Sequence, residues 1–310
     1  MRIHVIHNPH SVSADRIRAL LAEADGAGNW AFELHPSSDV STLQRDVRNS
    51  VREKVDRIVI AGGDGTISQV VQALAPDFSA LEIAILPFGT GNDFARSLGL
   101  APDLLGLAAT YALGRRTAPI DLIRISGDVN TYCVNVANGG FGGRVAADLR
   151  LDDKQRWGAM AYWMTSVLEL TQLTPFDLEV VLDGQRHACG AALGLAIANG
   201  RFVGGGFPIA PNAVLDDGLL DVILVPVLAP FELLTAGIGF TLGFDPPDIG
   251  IQSHRARRIE LRSSPGMPFS VDGELYQCQN AAFELIPRAL RVAIGDFPAA
   301  IPDFIGEDAE

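Results

Sequence analysis

The chain has 310 residues. Domains average roughly 150 residues, so this length predicts two domains or one large one. Hydrophobic residues make up 48% and charged residues 20%, which excludes a disordered polymer. The net charge of −13 argues against nonspecific nucleic-acid binding and against wholesale electrostatic adhesion to an anionic membrane. Cys133, Cys189 and Cys278 are too widely spaced for a disulfide framework or a Cys-x-x-Cys metal site, which indicates a reducing compartment.

The first 118 residues alternate between apolar strands and amphipathic helices. Strands are predicted at 3–6, 31–34, 57–61 and 83–86. Helices are predicted around 17–21, 43–55, 67–74 and 93–98. This alternation favours a parallel sheet with helices on its faces.

Strands dominate after a boundary placed at 118–120, which predicts a mostly β second domain, antiparallel in its pairing. The predicted strands are 120–125, 132–136, 178–182, 193–198, 219–225, 259–261 and 283–286, with helical inserts at 157–173 and 231–242. The stretch 222–240 is long and apolar enough to span a bilayer. Pro226, Pro230 and Glu232 interrupt it, and they favour a buried strand, a turn and a core helix.

A glycine-rich loop, Ala61-Gly62-Gly63-Asp64-Gly65-Thr66, lies between a predicted strand and a helix. Backbone N–H groups at such a helix start can hold a phosphate, and glycines let the backbone approach closely. Asp64 would repel phosphate, so it suits a bridging magnesium or a supporting hydrogen bond. Thr66 can cap the helix or bond a phosphate oxygen. The alternative is a plain glycine turn with a Thr cap.

A second loop of the same kind, residues 87–96, follows the fourth strand. Thr90 can donate to phosphate, and Asn92 or Asp93 can cap the next helix. The alternative is that both polar residues are only caps. Ligands of open α/β sheets bind at the carboxyl ends of strands, so two such loops together are more specific than one.

Together the two loops resemble the diacylglycerol-kinase-like family of bacterial lipid kinases, which also includes sphingosine and ceramide kinases. The later motifs are similar to the YegS-type branch: Asn138-Gly139-Gly140-Phe141-Gly142, Asn199-Gly200-Arg201 through Gly206, Pro211-Asn212-Ala213, Asp217-Gly218-Leu219-Leu220 and Asp272-Gly273-Glu274. The resemblance implies an α/β N-terminal domain with a parallel sheet, like 6-phosphofructokinase and NAD kinase. It also implies a β-rich C-terminal domain, an antiparallel sandwich.

The resemblance implies an ATP-binding domain at 1–118, which segment 288–310 rejoins in relatives, and a lipid-substrate domain at 119–287. ATP would lie in the cleft between them. The implied nucleotide contacts are Asn8, His35, Ala61, Gly62, Gly63, Asp64, Gly65, Thr66, Ile67 and Thr90. The chain departs from the family pattern at two places. Ser11 is not followed by the usual glycine, and His35, with Ser37 and Ser38 nearby, stands where a threonine is often found.

The resemblance implies Glu274 as general base, with Asp272 as its nearest competitor and Asp64 as a further catalytic carboxylate. On sequence alone, Asp-Gly-Glu is more often a hairpin turn. The family's magnesium site maps to the Asp217 carboxylate with the carbonyls of Val214 and Leu219, where oxygen-only ligation suits the ion. The alternative there is a simple Asp-Gly turn.

The six histidines show no paired metal-ligand spacing, which argues against zinc. The sequence does not decide whether Arg201 faces the cleft or lies on the surface. Five aromatic and methionine residues lie on one predicted helix: Trp157, Met160, Tyr162, Trp163 and Met164. They are open between lining the entry of the lipid and packing in the core.

The function implied is an ATP- and Mg²⁺-dependent lipid kinase of lipid metabolism and phospholipid biosynthesis. We expect it to be cytoplasmic and peripheral to the membrane, with no transmembrane segment and no nucleic-acid partner. The acceptor is open between diacylglycerol, phosphatidylglycerol and a sphingoid or ceramide-like lipid, and the oligomeric state is open too. The alternatives are a kinase of a soluble substrate such as NAD, a non-catalytic nucleotide- or lipid-binding protein, and a structural interaction protein.

Overall fold

The computed structural model describes residues 2–25, 30–100, 103–140, 175–229, 232, 235 and 250–294. The chain forms two compact units that divide between Ile120 and Asp121. The N-terminal unit contains the described residues up to Ile120 together with 290–294, and the C-terminal unit runs from Asp121 to Ala289.

The sheet of the N-terminal unit has the order β2-β1-β3-β4, with the end of β15 added beside β4. Its strands are β1 (Arg2–His7), β2 (Ala31–Pro36), β3 (Arg57–Gly62) and β4 (Glu82–Pro87). All of these pairs are parallel, including Arg291 and Val292 of β15 against β4. Every residue of β3 is buried, as expected of a central parallel strand covered on both faces.

Five helices are described in this unit: α1 (Ala14–Asp25), α2 (Val40–Arg52), α3 (Asp64–Leu74), α4 (Asp93–Ser97) and α5 (Leu105–Leu113). The sequence patterns missed α5. Its residues are apolar almost all round, so they lack the polar face that marks an amphipathic helix.

The C-terminal unit is built from strands whose neighbours pair in antiparallel fashion. The strands are β5 (Thr117–Gly127), β6 (Thr131–Cys133), β7 (Val136–Gly140), β8 (Phe176–Leu182), β9 (Gln185–Ala198), β10 (Phe202–Val203), β11 (Phe207–Pro208), β12 (Leu220–Pro226), β13 (Gln252–Ala256), β14 (Arg258–Val271) and β15 (Glu274–Ala293). Alternate residues of β14 are buried, and the rings of Phe269 and Phe283 pack with centroids 5.5 Å apart in the core.

Several sequence predictions need correction. The single strand predicted at 132–136 is two strands, β6 and β7. The short strands predicted at 259–261 and 283–286 are parts of the long strands β14 and β15. Sequence patterns missed β10, β11 and β13, which are short or polar and carry little periodic signal. The predicted helical inserts at 157–173 and 231–242 lie outside the described residues, apart from Glu232 and Thr235. Within the described part of the chain, no helix is both long and apolar enough to cross a bilayer.

Candidate functional site

The two glycine-rich loops lie side by side in the N-terminal unit. They follow β3 and β4, which are adjacent and parallel, with Gly62 opposite Pro87. The Phe88 N–H donates to the Gly62 carbonyl at 3.0 Å and continues the pairing one step beyond the strands. Parallel strands bring their carboxyl ends to one edge of a sheet, so both loops lie at the edge where such sheets bind ligands.

Contact between the loops requires glycine at two positions. A Cβ added to Gly89 would lie 2.3 Å from the Gly63 Cα, and one added to Gly63 would lie 2.8 Å from the Gly89 Cα. Neither side chain fits without backbone movement, because both contacts are to backbone atoms. The glycines therefore hold the two backbones against each other.

Asn92 closes the second loop instead of capping a helix with its side chain. Its amide accepts from the Gly89 N–H at 2.9 Å and donates to the Gly89 carbonyl at 2.6 Å. Asn92 has a φ of 53°, a left-handed conformation that asparagine tolerates better than most residues. Asn92 is buried and is the N-cap residue of α4, as predicted, but its side chain makes no capping hydrogen bond.

Asp64 joins the loops through its carboxylate. Its Oδ1 accepts from the Phe94 N–H at 3.0 Å. Thr66 lies in the first turn of α3, since Gly63 is the N-cap, and its hydroxyl packs over Gly62. The sequence prediction of Thr66 as a cap is therefore wrong. Thr90 is exposed at the tip of the second loop.

Asn8 shapes the turn that follows β1. Its side-chain oxygen accepts from the His10 N–H at 2.9 Å, and its carbonyl accepts from the N–H groups of Ser11 and Val12. This pattern is an Asx turn, which orders the chain without a glycine. Ser11 is exposed.

His35, near the end of β2, packs against His4 of β1 with ring centroids 4.5 Å apart. Burial, with a smaller effect of His35, lowers the pKa of His4. Ser37 is buried, and its hydroxyl contacts the Asp46 carboxylate at 3.3 Å. The Ser37 hydroxyl is therefore already engaged by a side chain of the protein. A nucleotide contact by His35 stays a prediction.

In the C-terminal unit, Asp272 and Gly273 form the two-residue turn between β14 and β15. Val271 pairs with Glu274, and the turn residues have φ values of 46° and 92°. Positive φ at both positions defines a type I′ hairpin. The motif is therefore a hairpin turn, and the turn presents Glu274 in an exposed position.

Glu274 has one neighbour of chemical interest. The Tyr276 hydroxyl donates to Glu274 Oε2 at 3.0 Å. Burial raises the pKa of Tyr276, and the hydrogen bond to Glu274 raises it further. Tyr276 therefore stays protonated and orients the carboxylate.

Asp272 differs from Glu274 because the residue is buried, with 9% exposed, and both of its carboxylate oxygens accept hydrogen bonds from the protein. It accepts from the backbone N–H groups of Val134, Asn135 and Val136, at 2.8, 3.0 and 3.2 Å, and from the Cys133 thiol at 3.2 Å. Because these N–H groups donate to the carboxylate, they are not available for pairing with a neighbouring strand, and residues 132–136 do not form one continuous strand. Burial and the neighbouring carboxylate raise the pKa of Cys133 well above its usual value, so this thiol stays protonated.

Two buried residues that the sequence did not single out for these contacts organise this unit. Asp121 is 0% exposed, and its carboxylate accepts from the N–H groups of Gly218 and Arg288 at 2.8 and 2.6 Å. Arg201 is buried and donates to the Ala213 carbonyl at 2.9 Å, so it is not a surface residue. No sequence signal marks Asp121, because its partners are backbone groups distant in the chain. Arg201 belongs to a motif noted above, but the sequence does not reveal its contact with the Ala213 carbonyl.

The predicted magnesium site centres on Asp217. Its Oδ1 accepts from the Leu219 N–H at 3.0 Å, and its Oδ2 pairs with Arg255. Arg255 also approaches Asp221 at 3.7 Å, and burial raises the pKa of Asp221 to about 6. The predicted ligands are the Asp217 carboxylate and the backbone carbonyls of Val214 and Leu219, and such oxygen ligands are the kind that magnesium prefers. However, an arginine already neutralises the one charged ligand.

Sequence comparisons match both units to known domains. The profile of the diacylglycerol kinase catalytic domain matches residues 2–125, and that of the YegS C-terminal NAD kinase beta sandwich-like domain matches 140–294. A protein of Pseudomonas putida named "Probable lipid kinase YegS-like" is 34% identical over 300 residues, covering 96% of this chain and 95% of the relative. The chain belongs to the YegS-like family.

A YegS-like relative from Pseudomonas aeruginosa is also 34% identical, over 93% of this chain and 91% of its own. Among solved structures, a diacylglycerol kinase from Bacillus anthracis superposes with a TM-score of 0.75 at 23% identity, covering 94% of this chain and 96% of that one. At this identity the likeness shows the fold alone. It indicates that the YegS-like chain shares the fold of that kinase.

Proposed function

We propose that this YegS-like protein is an ATP-dependent lipid kinase that transfers the γ-phosphoryl group to a lipid hydroxyl. The observation that carries the proposal is the pair of contacting glycine loops at the ends of β3 and β4. Their geometry favours a phosphate ligand, because the contact between Gly63 and Gly89 brings the start of α3 and the second loop together at one edge of the sheet. The names of the YegS-like relatives support a lipid as acceptor.

In this mechanism the N-terminal unit binds and orients the nucleotide. Phosphoryl transfer depends mostly on positioning and on neutralising charge. The backbone of residues 61–67 and the Thr90 hydroxyl would hold the phosphates, and Asn8 would fix the neighbouring turn. Asp64 would hold the Mg²⁺ that accompanies ATP, which supplies charge neutralisation when bound, while its hydrogen bond to Phe94 keeps the two loops in register.

The C-terminal unit would supply the base. Glu274 is exposed and accepts one hydrogen bond from Tyr276, so it retains free lone pairs that can take the proton of the attacking hydroxyl. Asp272 has no comparable capacity, because its oxygens already accept three backbone N–H groups and a thiol. We therefore assign the base to Glu274 and a structural role to Asp272.

The direct test of this function is product analysis. Purified protein is incubated with ATP, Mg²⁺ and vesicles that each contain one acceptor: diacylglycerol, phosphatidylglycerol or ceramide. Mass spectrometry should detect one phosphorylated lipid. Phosphorylated NAD in a parallel reaction would favour the soluble-substrate alternative. ATP binding without any phosphorylated product would favour a binding protein.

Two substitutions of Asp64 separate its charge from its hydrogen bond. Asp64→Asn keeps an oxygen that can accept from Phe94, so we expect an unchanged Tm but a kcat about 10²-fold lower, because the charge is lost. Asp64→Ala loses both and should also lower the Tm. Kinase assays and thermal melts of the two variants make the comparison. Full activity in Asp64→Asn would contradict a role in metal binding.

We further propose that Mg²⁺ binds weakly at the Asp217 turn, because it must compete with Arg255. Arg255→Met should tighten Mg²⁺ binding about fivefold, since ion pairs of this exposure are worth up to about 1 kcal/mol. Isothermal titration of the nucleotide-free protein with MgCl₂ measures the Mg²⁺ affinity. Adding Asp217→Asn to the Arg255→Met variant should abolish Mg²⁺ binding at this turn. Equal Mg²⁺ affinity with and without Arg255 would show that the arginine does not compete.

A further inference from the structure

A group of potential metal ligands lies on the face of β1 and β2, outside the glycine loops. His4, Glu33 and His35 each offer one ligand atom, and these atoms lie within 4.8 Å of one another. In the parallel register His4 is opposite Glu33, and His35 follows two residues later on the same face of β2. The strand pairing thus assembles the group from two distant segments.

The distances between ligand atoms are close to those of a bound ion. Nε2 of His4 is 3.6 Å from Glu33 Oε2, and Nε2 of His35 is 3.7 Å from Glu33 Oε1. Ligands about 2.0–2.1 Å from a tetrahedral Zn²⁺ are about 3.3 Å apart. Glu33 is largely exposed, so its side chain can adjust while the buried His4 stays fixed.

Both histidine nitrogens are buried without a partner. Nε2 of His4 and Nε2 of His35 make no hydrogen bond among the described residues. A buried polar atom left unsatisfied costs free energy, so such atoms call for an explanation. A bound cation would satisfy both.

The hydrogen-bond network fixes the tautomer of His4. The Ser50 hydroxyl donates its single proton to the Asp46 carbonyl at 2.8 Å. Ser50 Oγ also lies 2.9 Å from His4 Nδ1, so at this contact the oxygen accepts and Nδ1 carries the proton. The lone pair of His4 is then on Nε2, which faces Glu33. Metal-binding histidines are oriented in this way by a partner on the other ring nitrogen.

We propose that His4, Glu33 and His35 bind one divalent transition-metal ion, with Zn²⁺ the best match, and that Ser50 orients His4 for it. Two imidazoles and one carboxylate form a three-ligand set that leaves a fourth position for water on the solvent side of Glu33. Glu53 is not a ligand in this assignment, because its carboxylate is paired with Arg2. The proposal does not rest on the kinase activity. It assigns His35 to a metal ion where the family resemblance implies a nucleotide contact, and it differs from the sequence expectation that argues against zinc.

The test is metal titration of the full-length, metal-stripped protein. Wild type should bind one equivalent of Zn²⁺, and Co²⁺ should give the visible absorption of a tetrahedral site without thiolate charge transfer. His35→Gln and Glu33→Gln should each lose this binding. Ser50→Ala should weaken it about 10–100-fold, as loss of an orienting partner does at other sites. Zn²⁺ should raise the Tm of wild type but not of His35→Gln.

A second histidine pair provides the matched control. His187 and His254 have ring centroids 4.9 Å apart, and no carboxylate completes a metal-binding group with them among the described residues. His187→Gln should bind metal like wild type. The proposal is overturned if wild type binds no Zn²⁺, if His35→Gln binds like wild type, or if the Co²⁺ spectrum shows thiolate ligation.

Discussion

The variant Glu274→Gln should have a kcat about 10²–10⁴-fold below wild type, the range that general-base catalysis contributes. Gln has almost the same shape, and its amide oxygen can still accept from Tyr276, but it cannot take a proton. Glu274 is exposed and makes only that one side-chain hydrogen bond among those described, so the Tm should not change. A kinase assay on the active lipid, with a thermal melt beside it, measures both quantities.

Glu260→Gln is the control for this loss of charge. Glu260 is an exposed carboxylate on the neighbouring strand β14, paired with Arg258. Its substitution should leave kcat unchanged. Wild-type kcat in Glu274→Gln would contradict the assignment of the base.

The two glycine loops could be predicted from sequence because their signal is local. Gly63 and Gly89 belong to short motifs, each placed directly after an apolar strand, and the alternation of strands and helices indicates that the strands are neighbours. What the sequence could not supply is the contact between the loops. The Gly63–Gly89 approach and the bond from Phe94 to Asp64 depend on strand register.

Several contacts that the sequence did not reveal are made with backbone groups distant in the chain. Asp272 belongs to a motif that suggests catalysis, yet its partners are N–H groups more than 130 residues away in the chain. The sequence did not reveal the group of His4, Glu33 and His35 for a similar reason. Sequence motifs find ligands spaced along one helix or loop, whereas His4 meets Glu33 and His35 only through the parallel register of β1 and β2.

Asp272→Asn should lower the free energy of unfolding of the C-terminal unit by about 2–4 kcal/mol, because hydrogen bonds to a charged group are worth about 1.5–3 kcal/mol each. The carboxylate accepts three backbone N–H groups and a thiol, and an amide puts an NH₂ donor against some of those donors. Asn tolerates the positive φ at this position, so the turn conformation itself is not disturbed. Chemical denaturation followed by tryptophan fluorescence measures the loss.

The chain contains a matched control for this experiment in its other Asp-Gly hairpin. Asp183 and Gly184 connect β8 to β9 with φ values of 47° and 83°, close to those of Asp272 and Gly273. Asp183 accepts from two backbone N–H groups, but it is exposed, so water can replace the lost interaction in Asp183→Asn. We expect Asp183→Asn to cost far less than Asp272→Asn. Equal losses would mean that turn geometry, and not the buried carboxylate, accounts for the stability that Asp272 provides. A larger loss for Asp272→Asn would identify the carboxylate as the group that holds residues 133–136 beside the hairpin carrying Glu274.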